Sequence, residues 1–228
     1  MAAMTNEPIR LNRLAMMISG AAVAIGALSR STAGPIANNV PTREIAAAMP
    51  SPPRPAGNAI LDPQLLRRAL AALDEHAKDI RRRDRIAIVD FSAPSSEERL
   101  HLLDVASGRV SRLLVAHGSG SDPRHTGYVE RFSNVSGSNA SSEGAFVTRD
   151  YYVGKHGRSQ RLAGLDPTND HAMDRAIVLH GAWYANADMI AAHGKLGRSQ
   201  GCFAVGEACL DAMFDHLGTG RLLYAGRA

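Results

Sequence analysis

The chain has 228 residues, 45% hydrophobic, 21% charged and 5% aromatic, with a formal net charge of +4. This is the composition of a folded globular protein and excludes a wholly disordered or collagen-like chain. Arg10, Arg13, Arg30 and Glu7 lie in the first 33 residues, so the remainder carries only +2, too small a charge for a nucleic-acid-binding domain, and the two cysteines are too few for a disulfide framework.

Arg10 and Arg13 precede an apolar run from Leu14 to Leu28, and Ser31-Thr32-Ala33 supplies small residues after it. The run has the length of a signal-peptide core and is short for a membrane span, so residues 1–33 are expected to be a signal peptide or an N-terminal anchor. The protein is then expected in the periplasm or cell envelope of a bacterium. Six of the eleven prolines fall between residues 34 and 58, the composition of a semi-extended linker. Asp62-Pro63 has the form of an N-cap followed by proline at the first helical position. A helix is expected within residues 59–84, with Leu66, Leu70, Leu73, Ala77 and Ile80 at helical spacing and Arg81-Arg82-Arg83 complementing its dipole at the end.

From Arg85 the period changes to two. Residues 85–91, 99–105 and 110–117 read as short strands, the last two joined by an Ala106-Ser107-Gly108 turn. A polar, glycine-rich stretch from Gly118 to Gly144 is too long for a hairpin and is expected to be disordered or to act as a lid or cleft wall. Residues 145–153 and 175–180 are further strands, 186–193 and 207–217 helices, and 221–225 a closing strand. Many short strands with helices at the edges, and no regular alternation of the two, argue for a mainly β domain over residues 85–228 and against a doubly wound α/β fold.

The strongest local pattern is Gly197-Arg198-Ser199-Gln200-Gly201-Cys202-Phe203-Ala204-Val205. A cysteine after a glycine and just ahead of a helix can have its thiolate stabilised by backbone N–H groups. Gly201 lets a substrate carbonyl approach the backbone, so the amides around Cys202 are candidates for an oxyanion hole. Upstream, Ile177-Val178-Leu179-His180-Gly181 reads as a buried strand ending in a histidine, a rigid place for the base that a thiol nucleophile needs. Buried structural residues are the plainer reading of the same pair.

Leu179-His180-Gly181 together with Ser199-Gln200-Gly201-Cys202 resembles the L,D-transpeptidase catalytic domain, the YkuD-like fold of bacterial cell-wall enzymes. Val115-Ala116-His117-Gly118-Ser119-Gly120-Ser121-Asp122-Pro123, Phe132-Ser133-Asn134, Gly164-Leu165-Asp166 and Arg198 ahead of the cysteine motif resemble the murein L,D-transpeptidase catalytic-domain branch. The resemblance covers roughly residues 85–225. It implies a β-sandwich or barrel-like core with peripheral helices, preceded by the N-terminal helix. It also implies Cys202 as nucleophile, His180 as the base that takes the thiol proton and returns it to the leaving amine, and Ser199 as support of the loop. Gly201, Arg198 and Gln200 would complete the oxyanion and loop support. The implied substrate is the tetrapeptide stem of peptidoglycan, attacked at its third residue with release of D-alanine. An amine acceptor then gives a 3→3 cross-link, and water gives an L,D-carboxypeptidase. No metal or organic cofactor is implied, nucleic acid is not a partner, and any membrane contact would come through an uncleaved N-terminal segment.

The chain departs from the commonest family form in having Gln200 where histidine is usual and Ala204 where arginine or asparagine is usual. Arg198 or His193 is a candidate to fill the vacant role. Candidates for the substrate cleft are His193, Gly181, Trp183, Tyr184, His117 and Tyr151; capping, loop structure and ordinary packing are the alternatives for each. His156-Gly157 repeats the His-Gly pairing and carries the same two readings, and of Tyr151 and Tyr152 one is expected to face the core. Cys209 is expected to be a buried apolar residue, too far from Cys202 for a disulfide. Two other functions compete: zinc-dependent hydrolysis of peptidoglycan amides, unsupported by any His-x-x-x-His or Cys-x-x-Cys spacing, and a non-catalytic wall-binding module on the same scaffold.

Overall fold

The computed structural model describes residues 61–228. The expected signal or anchor segment (1–33) and linker (34–58) lie outside the described residues. Helix α1 spans Pro63–Glu75, with Pro63 in its first turn. The Asp62 carboxylate accepts from the Gln64 and Leu65 amides at 2.7 and 3.1 Å, satisfying two donors that a helix start leaves without intrahelical partners. The helix stops at Glu75, short of the expected basic end. The His76 ring turns away to meet Asp166 at 2.8 Å, and Ile80 reaches the core from the following turn. Arg81-Arg82-Arg83 therefore caps no helix.

Eight strands follow: β1 Arg85–Asp90, β2 Leu100–Asp104, β3 Val110–Leu113, β4 Gly144–Gly154, β5 Gly157–Gly164, β6 Val178–Gly181, β7 Phe203–Val205 and β8 Leu222–Gly226. Helices α2 (Asp188–His193) and α3 (Leu210–Leu217) and three short 3-10 turns complete the fold. The strands form one sheet in the order β3-β2-β1-β8-β4-β5-β6-β7. Pairing is antiparallel except for β1 with β8 and β6 with β7. Beyond β3, Ala116 bridges Ala204 of β7, so the two ends of the sheet are tied and the layer curls into a barrel-like body. The mainly β expectation holds. The sequence reading missed β5 and β7, and it started β6 three residues early, where Arg175 lies in a turn.

The middle strands are buried on both faces, and the period of two sorts their residues. Ile86 and Ile88 of β1, Ala145 and Val147 of β4 and Leu222 of β8 pack beneath Leu65, Ala69, Ala72 and Leu73 of α1. Ala87, Val89, Phe146, Leu223 and Ala225, on the alternate positions, enter the main core with Leu179, Phe203, Met213 and Phe214. Phe203 stands at its aromatic centre, 5.4 Å edge-on from Phe146 and 6.2 Å from Phe91. Truncating so enclosed a phenylalanine costs about 3–5 kcal/mol, so the strand after Cys202 is firmly held. The Gly118–Gly144 stretch is ordered: Ser121, Ser141 and Ser142 are buried, and Ser133, Ser141 and Ser121 exchange backbone and side-chain hydrogen bonds across it. Gly164-Leu165-Asp166 shapes a turn, where the Asp166 carboxylate accepts the Ala145 amide at 2.6 Å.

Candidate active site

The site forms where β6 and β7 run parallel. Leu179 stands opposite Phe203 and His180 opposite Ala204, which sets Cys202 abreast of Val178. The Val178 backbone N–H points at the sulfur and favours its thiolate. His180 is two residues further along β6 and therefore on the same face of the strand. Both side chains line one cleft of about 520 Å³. Cys202 is followed by β7, with the short Glu207–Cys209 turn and α3 only after that. The expected helix N-terminus beside the thiol is thus absent, and local backbone groups take its place.

The loop that carries Cys202 is built around Ser199 and Gly201. The Ser199 hydroxyl donates to the Cys202 carbonyl at 2.7 Å and accepts the Gly201 amide at 3.1 Å, closing a tight turn. Gly201 has φ of +111°, and a β-carbon there would meet the Ala140 carbonyl at 2.7 Å and Ile177 Cδ1 at 2.8 Å. Only glycine fits. Across the sulfur, the thiol donates to the Ala176 carbonyl at 3.6 Å. Ala176 has φ of +53°, a left-handed conformation that alanine rarely adopts, and this strained residue stands at the entry to β6. Among the described residues, the Gln200 and Cys202 amides have no hydrogen-bond acceptor, which leaves two unpaired donors in the loop that bears the thiol.

His180 is 1% exposed. Its Nδ1 donates to the Gly181 carbonyl at 2.9 Å, so Nε2 is the nitrogen left to accept a proton. Burial lowers its pKa, and the neighbouring His156 and Lys155 add to the effect against the Gly181 carbonyl. Burial pushes the Cys202 thiol up, while Val178, Lys155 and Arg175 pull it down. The resting pair is accordingly a neutral thiol beside a neutral imidazole. The His156 ring, from the β4–β5 turn, stacks on His180 with centroids 4.5 Å apart and planes at 22°.

Cys202, His180, Ser199, Gln200, Arg198 and Tyr184 share this cleft. Six other candidates do not line it, Gly201 among them, which shapes the turn before Cys202 without cleft surface. His117 is completely buried behind the Ser199 loop. His193 lies exposed on α2, and Trp183 is 65% exposed beside Tyr184. Gly181 contributes its carbonyl to His180 and no cleft surface. Tyr151 turns to the opposite side and donates to the Phe214 carbonyl at 3.2 Å. Its neighbour Tyr152 lines the cleft instead, because the β4–β5 register shifts between Thr148 and Tyr151 and the extra residue reverses the alternation.

The sequence reading also missed Arg175, Lys155, Asn139 and Asp174 on the cleft wall. Arg175 donates to the Ser133 and Ala140 carbonyls at 2.7 and 2.5 Å and to Ser142 Oγ at 2.6 Å, pinning the 133–142 stretch beside Cys202. Nothing in a turn arginine ahead of an apolar run marks it for this place. Ala204, at the position where the family commonly has a longer polar residue, is buried and paired with Ala116, which leaves that space to backbone. Both cysteines are free. Among the described residues no three His, Cys, Asp or Glu side chains gather as metal ligands.

No curated protein sequence matches the chain. Solved structures that resemble it include an L,D-transpeptidase, LdtMt1, in complex with imipenem (11% identity, TM-score 0.38, covering 63% of this chain and 59% of that one). Another is an L,D-transpeptidase from Mycobacterium smegmatis (10%, 0.38, 63% and 58%). A third comes from Xylanimonas cellulosilytica (18%, 0.35, 69% and 68%). The chain thus spans less than two thirds of the first two. The family model of the L,D-transpeptidase catalytic domain matches residues 58–225, most of the chain including α1, and the chain belongs to that family.

Proposed function

We propose that this protein is a cysteine acyltransferase of peptidoglycan stem peptides, an L,D-transpeptidase that makes 3→3 cross-links through a Cys202 thioester. What carries the reading is one arrangement: Cys202 and His180 line the same cleft, with His180 Nδ1 committed to the Gly181 carbonyl and Nε2 free. As the Cys202 sulfur attacks the carbonyl carbon of the third stem residue, His180 Nε2 takes the thiol proton. The Cys202 and Gln200 amides, free of other acceptors, receive the developing oxyanion. The C–N bond to D-alanine breaks, and the imidazolium returns its proton to the departing amine. An acceptor amine then attacks the thioester, loses a proton to His180, and releases the thiol. Ser199 holds the loop in shape throughout.

The organisation that goes with this reading is residues 1–33 for export, 34–58 as a tether, 59–84 as the segment that carries α1, and 85–228 as the catalytic part, working in the bacterial envelope. Among the described residues no helix is long and apolar enough to cross a membrane.

The test is mass spectrometry of protein and products after incubation with purified tetrapeptide muropeptides. A thioester on Cys202 with dimeric 3→3 products supports the transpeptidase. A thioester with only tripeptide products makes the protein an L,D-carboxypeptidase on the same residues. Folded protein that forms no adduct and leaves the muropeptides unchanged overturns the reading in favour of a wall-binding module. Cys202→Ala is expected to abolish turnover, and His180→Ala to reduce it by about 10²–10⁴-fold without unfolding the protein.

A further inference from the structure

Val115–Pro123, which carries part of the family resemblance, supplies no side chain to the thiol chemistry, yet together with Arg99 it forms a fully buried polar cluster beside the cysteine loop. Arg99, His117 and Asp122 are 1%, 0% and 0% exposed. The Arg99 guanidinium donates to the Val115 carbonyl at 3.0 and 3.2 Å, to the Ala93 carbonyl at 2.9 Å and to His117 Nδ1 at 2.7 Å. An arginine can only donate, so Nδ1 is the accepting nitrogen and the ring proton sits on Nε2, which faces the Asp122 carboxylate at 3.3 Å. Asp122 is further satisfied by the Thr126 amide and hydroxyl and the Gly127 amide, at 2.7, 3.1 and 2.8 Å. Burial and the Arg99 charge hold His117 down to about 4, so it links cation to anion as a neutral imidazole over the working pH range.

The backbone of this cluster forms the mould of the cysteine loop. The Ser199 amide donates to the His117 carbonyl at 2.9 Å, and the Ser119 amide donates to the Ser199 carbonyl at 2.8 Å. The Ala116 amide donates to the Ala204 carbonyl at 2.8 Å, two residues past the thiol. Arg198 donates to the Asp122 carbonyl from the other end of the loop. On its far side the same strip lies against residues 138–141. A β-carbon at Gly118 or Gly120 would run into the backbone there, and Asn139 continues into the cleft wall. The loop that bears Cys202 is thus clasped at residues 198, 199 and 204 by a strip whose own shape is set by three buried side chains.

We propose that Arg99, His117 and Asp122 are positioning residues: a buried relay that moulds the 117–122 strip and, through it, holds Cys202 sequestered and aligned. Its kinetic consequence rests on Cys202 as the acyl-transfer nucleophile; its structural consequence does not. Cys209, half-buried against the main core, is a built-in reference thiol.

The experiment compares iodoacetamide alkylation of Cys202 and Cys209 in the full chain, peptide by peptide, in wild type and His117→Leu. Leucine fills much of the space and can neither accept from Arg99 nor donate to Asp122. Loosening of the mould exposes Cys202 alone and raises its alkylation rate relative to Cys209 by about tenfold, the factor set by losing one well-made buried hydrogen bond. General destabilisation raises both rates together. In muropeptide turnover the same variant is expected to lose about tenfold in kcat with KM within about threefold of wild type. A folded His117→Leu protein with an unchanged Cys202-to-Cys209 ratio overturns the proposal. If His117→Leu does not fold, Arg198→Met releases the strap from the half-buried side: a raised ratio sustains the proposal and an unchanged one overturns it. An enzyme inactive on muropeptides whose ratio still rises would sink the substrate assignment and leave the mould standing.

Discussion

The two walls of the cleft are made differently. On one side the 198–202 loop is buried against the 116–122 strip, crossed by backbone hydrogen bonds and backed by Arg99, His117 and Asp122. On the other, Lys155 and His156 sit exposed on the β4–β5 turn, and a ring stack on His180 is the contact His156 makes with the opposite side. The Cys202 wall therefore derives its geometry from satisfied buried polar groups, which resist displacement because each broken bond leaves a desolvated partner. The turn's wall derives its geometry from a hairpin and can yield to a ligand at little cost.

Substitutions at left-handed glycines should expose that difference most strongly. Gly201→Ala meets backbone at 2.7 Å as well as an unfavourable φ, and is expected to cost about 3 kcal/mol and abolish acyl-enzyme formation. Gly157→Ala, at φ of +71° with nothing within 4 Å, is expected to cost about 1 kcal/mol. Urea denaturation of the two variants checks the ranking, and equal losses would show that the two walls are equally rigid.

The next effect is that of pH on stability. His101 and His117 are held down to about 4 by burial, against about 6.5 in the unfolded chain. Between those values the unfolded chain binds the extra protons, so stability is full above about pH 6.5 and falls toward pH 4, by on the order of a few kcal/mol. Melting temperature measured from pH 8 to pH 4 should drop through that window; a flat profile would refute the buried neutral imidazoles.

The smallest effect belongs to the exposed β4–β5 turn. His156→Ala should change stability by less than about 0.5 kcal/mol, as exposed positions do. It should nonetheless raise the His180 pKa, because it removes part of the ring's cover and a neighbouring positive charge. NMR titration of His180 reads the shift directly.

Cys202 and His180 were legible as candidates for one site because they lie on short segments with strong local signatures, an apolar run ending in His180 and a glycine ahead of Cys202; both line one cleft. The alternation through β1, β4 and β8 was legible for the same reason, since each residue's face follows from its parity. Strand β7 was not, because three residues are too few for a period, and Phe203-Ala204-Val205 read equally well as the approach to a helix. Tyr151 and Tyr152 were exchanged by a single extra residue in β4, which no composition marks. The Arg175 side chain and His117 act through partners 33 to 42 and 5 to 82 residues distant in the chain, and such meetings are a product of topology.

Topology also governs the order in which the molecule can be assembled. Strand β8 follows the other seven in sequence yet lies in the interior of the sheet, parallel to β1 and antiparallel to β4. Without residues 222–226, β3-β2-β1 and β4-β5-β6-β7 share no strand ladder, and the isolated bridge of Ala116 with Ala204 ties their far ends. Long-range closure of this kind makes folding slow, since chain entropy is lost before the pairing that offsets it. The interior place of β8 thus makes the pairing of the whole sheet depend on the strand that comes last in chain order.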